Sequence, residues 1–188
     1  MAAEMFAQVE RFPFIETRSL SGKSQTYPRI LAGTTSLLIL VFEDLGRYRK
    51  AQLQANAWLD LWERKWKDLG MPAHEIPMMS KAWKWVRNWV DSGIRSGTAE
   101  EDYDRVSCYY GDTHKYQRHL SIQSSSEAHV FFLDPFGYIL YQTYGKPEEA
   151  FHTQIVDSLH KQKDKPINID PLLKFEYRRS IHRGTKFN

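Results

Sequence analysis

The thiol of Cys108 is the side chain in this sequence best suited to covalent chemistry, and it is the only cysteine of the chain. A thiol attacks as the thiolate, which requires a lowered pKa, usually at a helix amino terminus or beside a cation. Cys108 instead lies within an apolar and aromatic run over residues 106–110, a pattern that predicts a strand. We therefore interpret it as a buried structural cysteine, with a reactive thiol as the alternative. A single cysteine also excludes an intramolecular disulfide.

Acidic and glycine-containing motifs give no further catalytic candidate. Glu43 and Asp44 follow an apolar run, but a paired-carboxylate mechanism needs two groups facing one substrate, which adjacent residues seldom do. We interpret them as loop acids that pair with Arg47 or Arg49. The segment over residues 22–24, Gly-Lys-Ser, lacks the first glycine and the helix of a phosphate-binding loop. The sequence thus predicts no catalytic and no cofactor-binding residue.

The seven histidines do not form a recognisable metal-binding set. His114 and His119 are five residues apart, which does not align them on a helix. His152 and His160 are eight apart and can share a helix face, but no carboxylate or cysteine completes a ligand set there. We interpret the histidines as surface residues and expect neither a metal nor a cofactor. The remaining three are His74, His129 and His182.

Hydrophobic patterning predicts an α/β fold. A β-branched and aliphatic run over residues 35–42 indicates a strand buried on both faces, and a Pro-Gly turn at residues 134–137 indicates a late hairpin. The predicted strands are 35–42, 74–79, 105–110, 128–133 and 138–144. The predicted helices are 49–69, 81–91 capped by Ser80, a short one opened by Asp112, and 147–160, with a loop at 93–101.

This order predicts a central mixed sheet flanked by helices, with parallel strands first and an antiparallel hairpin late. We divide the chain into an N-terminal extension at residues 1–18, an α/β domain at 19–160 and a basic C-terminal tail at 161–188. The longest apolar run, over residues 36–42, is far shorter than the roughly 20 residues that cross a bilayer. We therefore expect no transmembrane segment, and Glu4 and Glu10 argue against an intact amino-terminal targeting signal.

All six tryptophans lie on the two predicted long helices. Their positions are Trp58, Trp62, Trp66, Trp83, Trp85 and Trp89. Two helices packed on a sheet can bury most of them. Tryptophan is also favoured in the energetic centre of protein interfaces, so we retain all six as candidate partner contacts. Interleaved lysine and arginine suit a membrane surface or RNA equally well, although no single-strand-binding motif accompanies them.

The C-terminal tail carries eight basic residues against three acidic ones, a local charge of +5 compared with +3 for the whole chain. Such a tail can engage anionic lipid, RNA or an acidic protein face, or can simply be solvated. We name Arg178, Arg179 and Arg183 as candidate contacts. We expect the tail to contact anionic lipid and do not expect a nucleic-acid partner. RNA binding through the tail is kept as a weaker alternative.

Four segments, in combination and in this order, resemble the "ATP-ten" family of mitochondrial ATP synthase assembly factors. They are residues 19–23 (SLSGK), 34–47 (TTSLLILVFEDLGR), 109–112 (YYGD) and 131–139 (FFLDPFGYI). The resemblance spans residues 12 to 160, and the Leu-Asp-x-x-Gly hairpin on its own also occurs in peroxiredoxins and bacterial thiol-reducing proteins. It implies a thioredoxin-like fold without the redox cysteine pair.

Two redox elements of that fold are missing from this sequence. The strand-to-helix junction at residues 43–47 (EDLGR) has no cysteine, and the approach to the late hairpin at residues 124–128 (SSSEA) has no proline. The resemblance implies a non-catalytic protein on the matrix side of the mitochondrial inner membrane, which helps the ATP synthase membrane sector to assemble. The single-cysteine alternative is a peroxiredoxin-like or thiol reductase enzyme that uses Cys108.

One departure from the family bears on the partner. The family usually has a basic, tryptophan-containing strand after the Leu-Asp-x-x-Gly turn, whereas residues 138–144 here contain neither arginine nor tryptophan. A permanent accessory subunit of a mitochondrial membrane complex is therefore as consistent with the sequence as a transient assembly factor. In either case the expected partners are protein subunits of that complex.

Overall fold

A seven-stranded mixed sheet forms the centre of the protein. The computed structural model describes residues 10–43 and 48–148. The strands are β1 (Ile15–Ser19), β2 (Ser24–Tyr27), β3 (Ser36–Phe42), β4 (Ala73–Ser80), β5 (Ser107–Gly111), β6 (Ala128–Leu133) and β7 (Ile139–Tyr144). Their order across the sheet is β2-β1-β5-β4-β3-β6-β7.

Strand β3 occupies the middle of this sheet and is buried at each of its seven residues. It pairs in parallel with β4, which in turn pairs in parallel with β5. On its other side β3 pairs antiparallel with β6, and the hairpin partner β7 completes that edge. Burial on both faces explains its uninterrupted aliphatic sequence, since a one-sided strand would alternate with polar residues.

Three helices cover the sheet. They are α1 (Tyr48–Lys65), α2 (Arg87–Ser96) and α3 (Thr113–His119), and a 3-10 segment (Lys81–Val86) leads into α2. The carboxylate of Asp112 accepts a hydrogen bond from the backbone N–H of His114 and so caps α3 as predicted. The predicted cap at Ser80 is wrong: its side chain makes no capping hydrogen bond, and the helix that follows begins as a 3-10 turn.

Aromatic side chains fill both faces of the sheet. On the α3 side, Phe12, Tyr109 and Tyr116 join the inward-facing residues of β3 and β4 in one buried cluster. On the α1 side, Trp58 and Trp66 pack edge-on against Phe132 with ring centroids 6.2 and 5.4 Å away. The indole N–H of Trp58 also donates to the carbonyl of Gly145, 2.8 Å away. Helix α1 is thereby fixed over β3 and β6.

The segment before β1 connects two distant parts of the sheet. The backbone N–H of Phe12 donates to the carbonyl of Gly137 and that of Ile139 donates to the carbonyl of Glu10, both at 2.9 Å. The same stretch then enters β1 beside β5. Gly137 has φ +85°, and a Cβ there would lie 2.5 Å from Cγ of Pro28, so no other residue fits this turn without movement.

The predicted mixed sheet and its five strands are confirmed, with small shifts at their ends. The antiparallel pair β1 and β2 was not predicted, because β2 is four polar or aromatic residues without an apolar alternation. The boundary placed at residue 19 therefore falls at the last residue of β1. The described residues up to Lys146 belong to one compact unit. The predicted helix at 147–160, apart from Pro147 and Glu148, and the tail at 161–188 lie outside the described residues.

Helix α2 runs five residues further than predicted. The expected end at Asp91 and loop from residue 93 rested on Gly93, yet Gly93 lies inside the helix, with no atom within 4 Å of the position a Cβ would take. A single glycine costs a helix only about 1 kcal/mol, which tertiary contacts readily offset. Ile94, one residue later, packs against the buried cluster of Leu20, Val106 and Cys108.

Replacing Trp58 with alanine tests the packing that holds α1. Because the indole is 1% exposed, we expect Trp58→Ala to lower the free energy of unfolding by about 3–5 kcal/mol. The control Trp85→Ala removes a side chain that is 95% exposed and should change it by less than about 0.5 kcal/mol. Urea denaturation followed by circular dichroism measures both, and equal losses would contradict this account of the core.

Candidate functional site

A polar cluster holds the junction of β3, α1 and β6 together. Lys50 forms an ion pair with Glu127, and the amide of Gln54 also donates to Glu127. The carbonyl of Gln54 accepts a hydrogen bond from the backbone N–H of Ala128, at 2.9 Å. The hydrogen bond from Lys50 holds the pKa of the Glu127 carboxyl below its usual range. Glu127 thus fastens the start of β6 to α1 instead of presenting a reactive group.

Of the predicted pairs between Glu43 or Asp44 and Arg47 or Arg49, only Glu43 with Arg49 lies within the described residues. Asp44 and Arg47 lie outside the described residues. Glu43 and Arg49 are described, and no ion pair joins them. Glu43 instead lines a cleft on the α1 side of the sheet.

Cys108 is 3% exposed and packs with Leu20 and Val106. Burial raises the pKa of its thiol, and the nearby carboxylate of Asp91 raises that pKa further. Asp91 is itself held by a hydrogen bond from the hydroxyl of Tyr110, at 2.6 Å. A thiol with a raised pKa and no solvent access is a poor nucleophile, in agreement with the structural interpretation of Cys108.

Two histidines are not the surface residues that we expected. His129 is 4% exposed, and its Nε2 lies 2.6 Å from the carbonyl oxygen of Ser124. Nδ1 of His74 lies 2.9 Å from the hydroxyl of Tyr27, and burial lowers the pKa of His74 to about 4. His114 and His119 are exposed, and the other three lie outside the described residues. Across residues 10–43 and 48–148 no three potential metal-ligating side chains come together.

The six candidate tryptophans divide into two groups. Trp58, Trp62 and Trp66 of α1 and its end are 1%, 5% and 1% exposed, so their candidacy as partner contacts is wrong. Their spacing of four residues places them on one face, and that face meets the sheet. Trp85 and Trp89 are 95% and 76% exposed, and Trp83 is half-buried. The tail candidates Arg178, Arg179 and Arg183 lie outside the described residues.

A cleft of about 1040 Å³ lies between α1 and α2, above β4. Its floor is formed by Ala73, Glu75 and Met79 of β4. Trp83 and Trp89 line it from the second helical segment. The volume is at the upper end of the range typical of ligand sites in proteins.

Glu75 is an unexpected side chain for the floor of this cleft. It is 5% exposed in the middle of a central strand, where apolar residues are the rule. Its Oε1 accepts a hydrogen bond from the amide of Gln52, 3.0 Å away, and that amide is also 3.1 Å from the carbonyl oxygen of Asn56. Burial raises the pKa of the Glu75 carboxyl, an effect that the Gln52 hydrogen bond only partly opposes.

One wall of the cleft carries the only basic side chain among its described lining residues. The guanidinium of Arg105 lies 4.6 Å from the ring centroid of Trp62 and pairs with Asp102. The indole N–H of Trp62 donates to the carbonyl of Met71 at 2.6 Å. These contacts make a rigid wall from α1 and the loop before β5.

Sequence reasoning missed Glu75 because a glutamate in a predicted strand is usually an edge or surface residue. A signal was present: β4 reads Ala-His-Glu-Ile-Pro-Met-Met, and its pairing between two parallel strands requires burial of both faces. A charged residue in such a strand must be compensated or functional. Glu75 is recognised as a buried acid only from the strand order of the sheet, which the sequence alone did not give for β4.

The fold is thioredoxin-like. The chain is similar to a protein described as a thiol:disulfide interchange protein, DsbE, from Chlorobium tepidum, with 15% identity and TM-score 0.52 over 81% of this chain and 98% of that one. It is also similar to the thioredoxin domain of a thiol-disulfide oxidoreductase from Bacteroides vulgatus, with 15% identity and TM-score 0.51 over 81% and 97%.

A third similar structure is BsSco, a member of the Sco family of cytochrome c oxidase assembly proteins, with 12% identity and TM-score 0.54 over 87% of this chain and 100% of that one. No protein-family model matches the chain, and no curated protein matches it. At these identities the similarity establishes the fold. In the part of the chain that the structure describes, no helix has the length and apolar character needed to span a bilayer.

The reactivity of Cys108 tests its structural role. We expect the native protein to react with a thiol reagent at neutral pH at least about a hundredfold more slowly than the same protein unfolded in guanidinium, because both burial and a raised pKa suppress the thiolate. Absorbance of the released thiolate reports the rate. Rapid native labelling, together with peroxidase or reductase activity lost in Cys108→Ala, would instead support the enzyme alternative.

Glu75→Gln should stabilise the protein at high pH. Because the folded-state pKa of Glu75 is raised, wild type loses stability relative to this variant as pH rises through that pKa, by at most about 1.4 kcal/mol per pH unit. At pH 4 and below the two proteins should be similar. Glu127→Gln is the control of opposite sign: the pKa of Glu127 is lowered, so this variant should be less stable at pH 8 and the difference should shrink as pH falls. Urea unfolding between about pH 2.5 and pH 8 measures both, because the loss at Glu127 appears only as pH falls below the unfolded-state pKa of 4.5.

Proposed function

We propose that this protein is a non-catalytic, thioredoxin-like interaction protein. The observation that carries this proposal is the exposure of Trp85 and Trp89, at 95% and 76%, within one short segment. Exposed indoles leave a large apolar area in water, and tryptophan is the residue most enriched in the energetic centre of protein interfaces. We call residues 81–90 the tryptophan segment.

The chemistry of the segment defines its partner. Lys81 and Lys84 are exposed, and Arg87 is half-exposed, so the indoles are interspersed with positive charge. A complementary face combines an apolar patch with acidic residues around it, as the surface of another protein subunit can. We therefore take a protein subunit, rather than lipid, as the partner of this segment.

The site's chemistry supports binding over redox catalysis. Cys108 is buried with a raised pKa, and the position before β6 is occupied by Glu127, which is committed to Lys50 and Gln54. The thiol-redox proteins that share the fold carry out their chemistry with exposed thiolates. This chain uses the same region to join secondary-structure elements.

The finer proposal places the protein on the matrix side of the mitochondrial inner membrane, as an assembly factor of the ATP synthase membrane sector or an accessory subunit of a membrane complex. Its support is the resemblance carried by residues 19–23, 34–47, 109–112 and 131–139. In their described parts these segments form the β1–β2 turn, β3, the end of β5 and the late hairpin. The same fold occurs in BsSco, whose family is described as cytochrome c oxidase assembly proteins.

None of these resembling segments includes the tryptophan segment. The residues that carry the resemblance therefore lie in the framework, and the exposed indoles, between β4 and β5, are not among them. This division favours a relative that keeps the family framework and has its own contact surface, as expected of an accessory subunit.

Trp85→Ser tests the tryptophan segment. Trp85 is outside the lining of the cleft, so its replacement changes only the exposed surface. In native gels of mitochondria from cells expressing the tagged protein, we expect wild type to migrate with ATP synthase membrane-sector subunits and the variant to be depleted about tenfold or more. The aromatic control Tyr144→Ser, on the edge strand β7 and 68% exposed, should migrate as wild type.

A vesicle-binding experiment distinguishes a lipid partner of the tryptophan segment from a protein partner. If Trp85→Ser left the native complex intact but abolished binding to phosphatidylserine vesicles, the segment would be a lipid contact and the proposed protein interface would be wrong. Equal loss in Trp85→Ser and Tyr144→Ser would also contradict it, because the effect would then not be specific to this segment.

A further inference from the structure

The cleft between α1 and α2 is acidic in a chain whose net charge is positive. Five acidic side chains line it against one arginine, whereas the whole chain has a net charge of +3. The acids are Glu43, Asp60, Glu63, Glu75 and Asp102. Charges of one sign around a concave, low-dielectric surface concentrate the field inside it and attract ligands of the opposite sign.

Not all of these acids are neutralised within the protein. Asp102 pairs with Arg105, and Glu63 pairs with Lys67 at 2.7 Å. Among the described residues, no ion pair engages the other three, which are Glu43, Asp60 and Glu75. These three acids are therefore available to pair with a cation in the cleft, Glu75 being negative only above its raised pKa.

Glu75 gives this charge a specific acceptor. The side chain of Glu75 is 5% exposed, and its Oε1 accepts a hydrogen bond from the amide of Gln52. Among residues 10–43 and 48–148, nothing donates to Oε2. Oε2 is not among the described side-chain atoms that are both buried and unpartnered, so it is open to the cleft, where a ligand with N–H groups can donate a hydrogen bond to it.

The remaining walls suit the apolar part of a basic side chain and its neighbours. Trp83 and Trp89 line the cleft on one side, and Val90 and Ile94 lie next to them. The stems of lysine and arginine pack on apolar surface, and their charged groups are attracted to the faces of indoles. A volume of about 1040 Å³ exceeds that of one side chain and leaves room for flanking residues of a peptide.

We propose that this cleft binds a lysine or arginine side chain presented by a partner protein, with Glu75 at the floor as the acceptor of its N–H groups. This inference rests on the proposed function, an interaction protein, and names the chemistry that the partner must contribute. The bound cation pairs with Glu75 and Asp60, and the residues flanking it contact Trp83 and Trp89.

The pairing has a defined pH dependence. A cation stabilises the ionised form of Glu75, so affinity should increase as pH rises through the pKa of this carboxyl, which burial raises. The other ionisable groups that line the cleft around it contribute a background to this dependence. They are Glu43, Asp60, Glu63, Asp102 and Arg105, with Asp91 on the other side of α2 towards Cys108.

Peptide titrations monitored by nuclear magnetic resonance test the proposal on the full chain. The probes are acetylated, amidated pentapeptides of sequence Gly-Leu-X-Leu-Gly, with lysine, arginine, glutamine or glutamate at X. We expect the lysine and arginine peptides to shift the indole N–H signals of Trp83 and Trp89 and the backbone amide of Glu75. The indole of Trp85, which does not line the cleft, is the internal reference. The glutamine peptide should bind about tenfold more weakly and the glutamate peptide more weakly still.

Three variants identify the acceptor. Glu75→Gln should weaken the lysine peptide about tenfold and remove the pH dependence of its affinity between pH 5 and 8. Asp60→Asn changes an exposed residue and should weaken binding a few-fold without affecting folding. Glu16→Gln, an exposed acid on β1 that does not line the cleft, removes the same charge and should have no effect.

Equal affinity for the lysine and glutamine peptides would overturn the proposal, as would unchanged affinity in both Glu75→Gln and Asp60→Asn. Shifts confined to Trp85 would also overturn it, since they would place binding on the exposed face of the tryptophan segment. These outcomes are independent of the native-gel result for Trp85→Ser. If the peptides bind as expected and Trp85→Ser leaves the native complex intact, the cleft site is supported and the proposed interface at the tryptophan segment is wrong. If Trp85→Ser depletes the complex and the peptides do not bind as expected, the interface is supported and the cleft site is wrong.

Discussion

The position of α1 on the sheet depends on the packing of two indoles around one phenylalanine ring. Trp58 and Trp66, eight residues apart on the same face, both meet Phe132 of β6 edge-on, and their own rings stack 6.5 Å apart. This contact draws the helix towards β3 and β6. Helix α2 is held by Ile94 against the cluster around Cys108. The cleft lies between these two anchored helices, with Ala73, Glu75 and Met79 of β4 at its floor.

The buried carboxyl group of Glu75 at the floor of the cleft conflicts with the apolar interior expected of a central strand, and the rest of the fold tolerates it. Strand β4 pairs on both sides, so Glu75 cannot move towards solvent as an edge residue would. Natural sequences depart from the pattern of an apolar interior mainly at sites under functional selection, where the departure has a use that offsets its cost. The amide of Gln52 reduces the conflict at one oxygen and leaves the other available. The redox position of the fold shows the opposite arrangement, because Glu127 there is satisfied from two sides.

The framework could be predicted from sequence, and the surfaces could not. An aliphatic run such as β3 has one stable environment, the middle of a sheet, so its prediction was reliable. The spacing of Trp58, Trp62 and Trp66 identified one helix face but not whether it met the sheet or a partner, which depends on the neighbouring strand. Trp85 and Trp89 have the same spacing and the opposite exposure. Strand β2 escaped detection because its four polar or aromatic residues show no apolar alternation. Strand β1 was missed with it, because its other partner, β5, begins only at Ser107 and no local pattern records such a pairing.

The pairing of residues 10–12 with residues 137–139 has a consequence for the order in which the molecule is made. A ribosome releases the first of these segments long before the second, so an early part of the chain must wait for its partner while the strands between them are synthesised. Contacts of such long sequence separation form late and slow the search for the native topology. Residues 10–12 can therefore pair only after the turn that follows β6 has been synthesised, although they are made well before it.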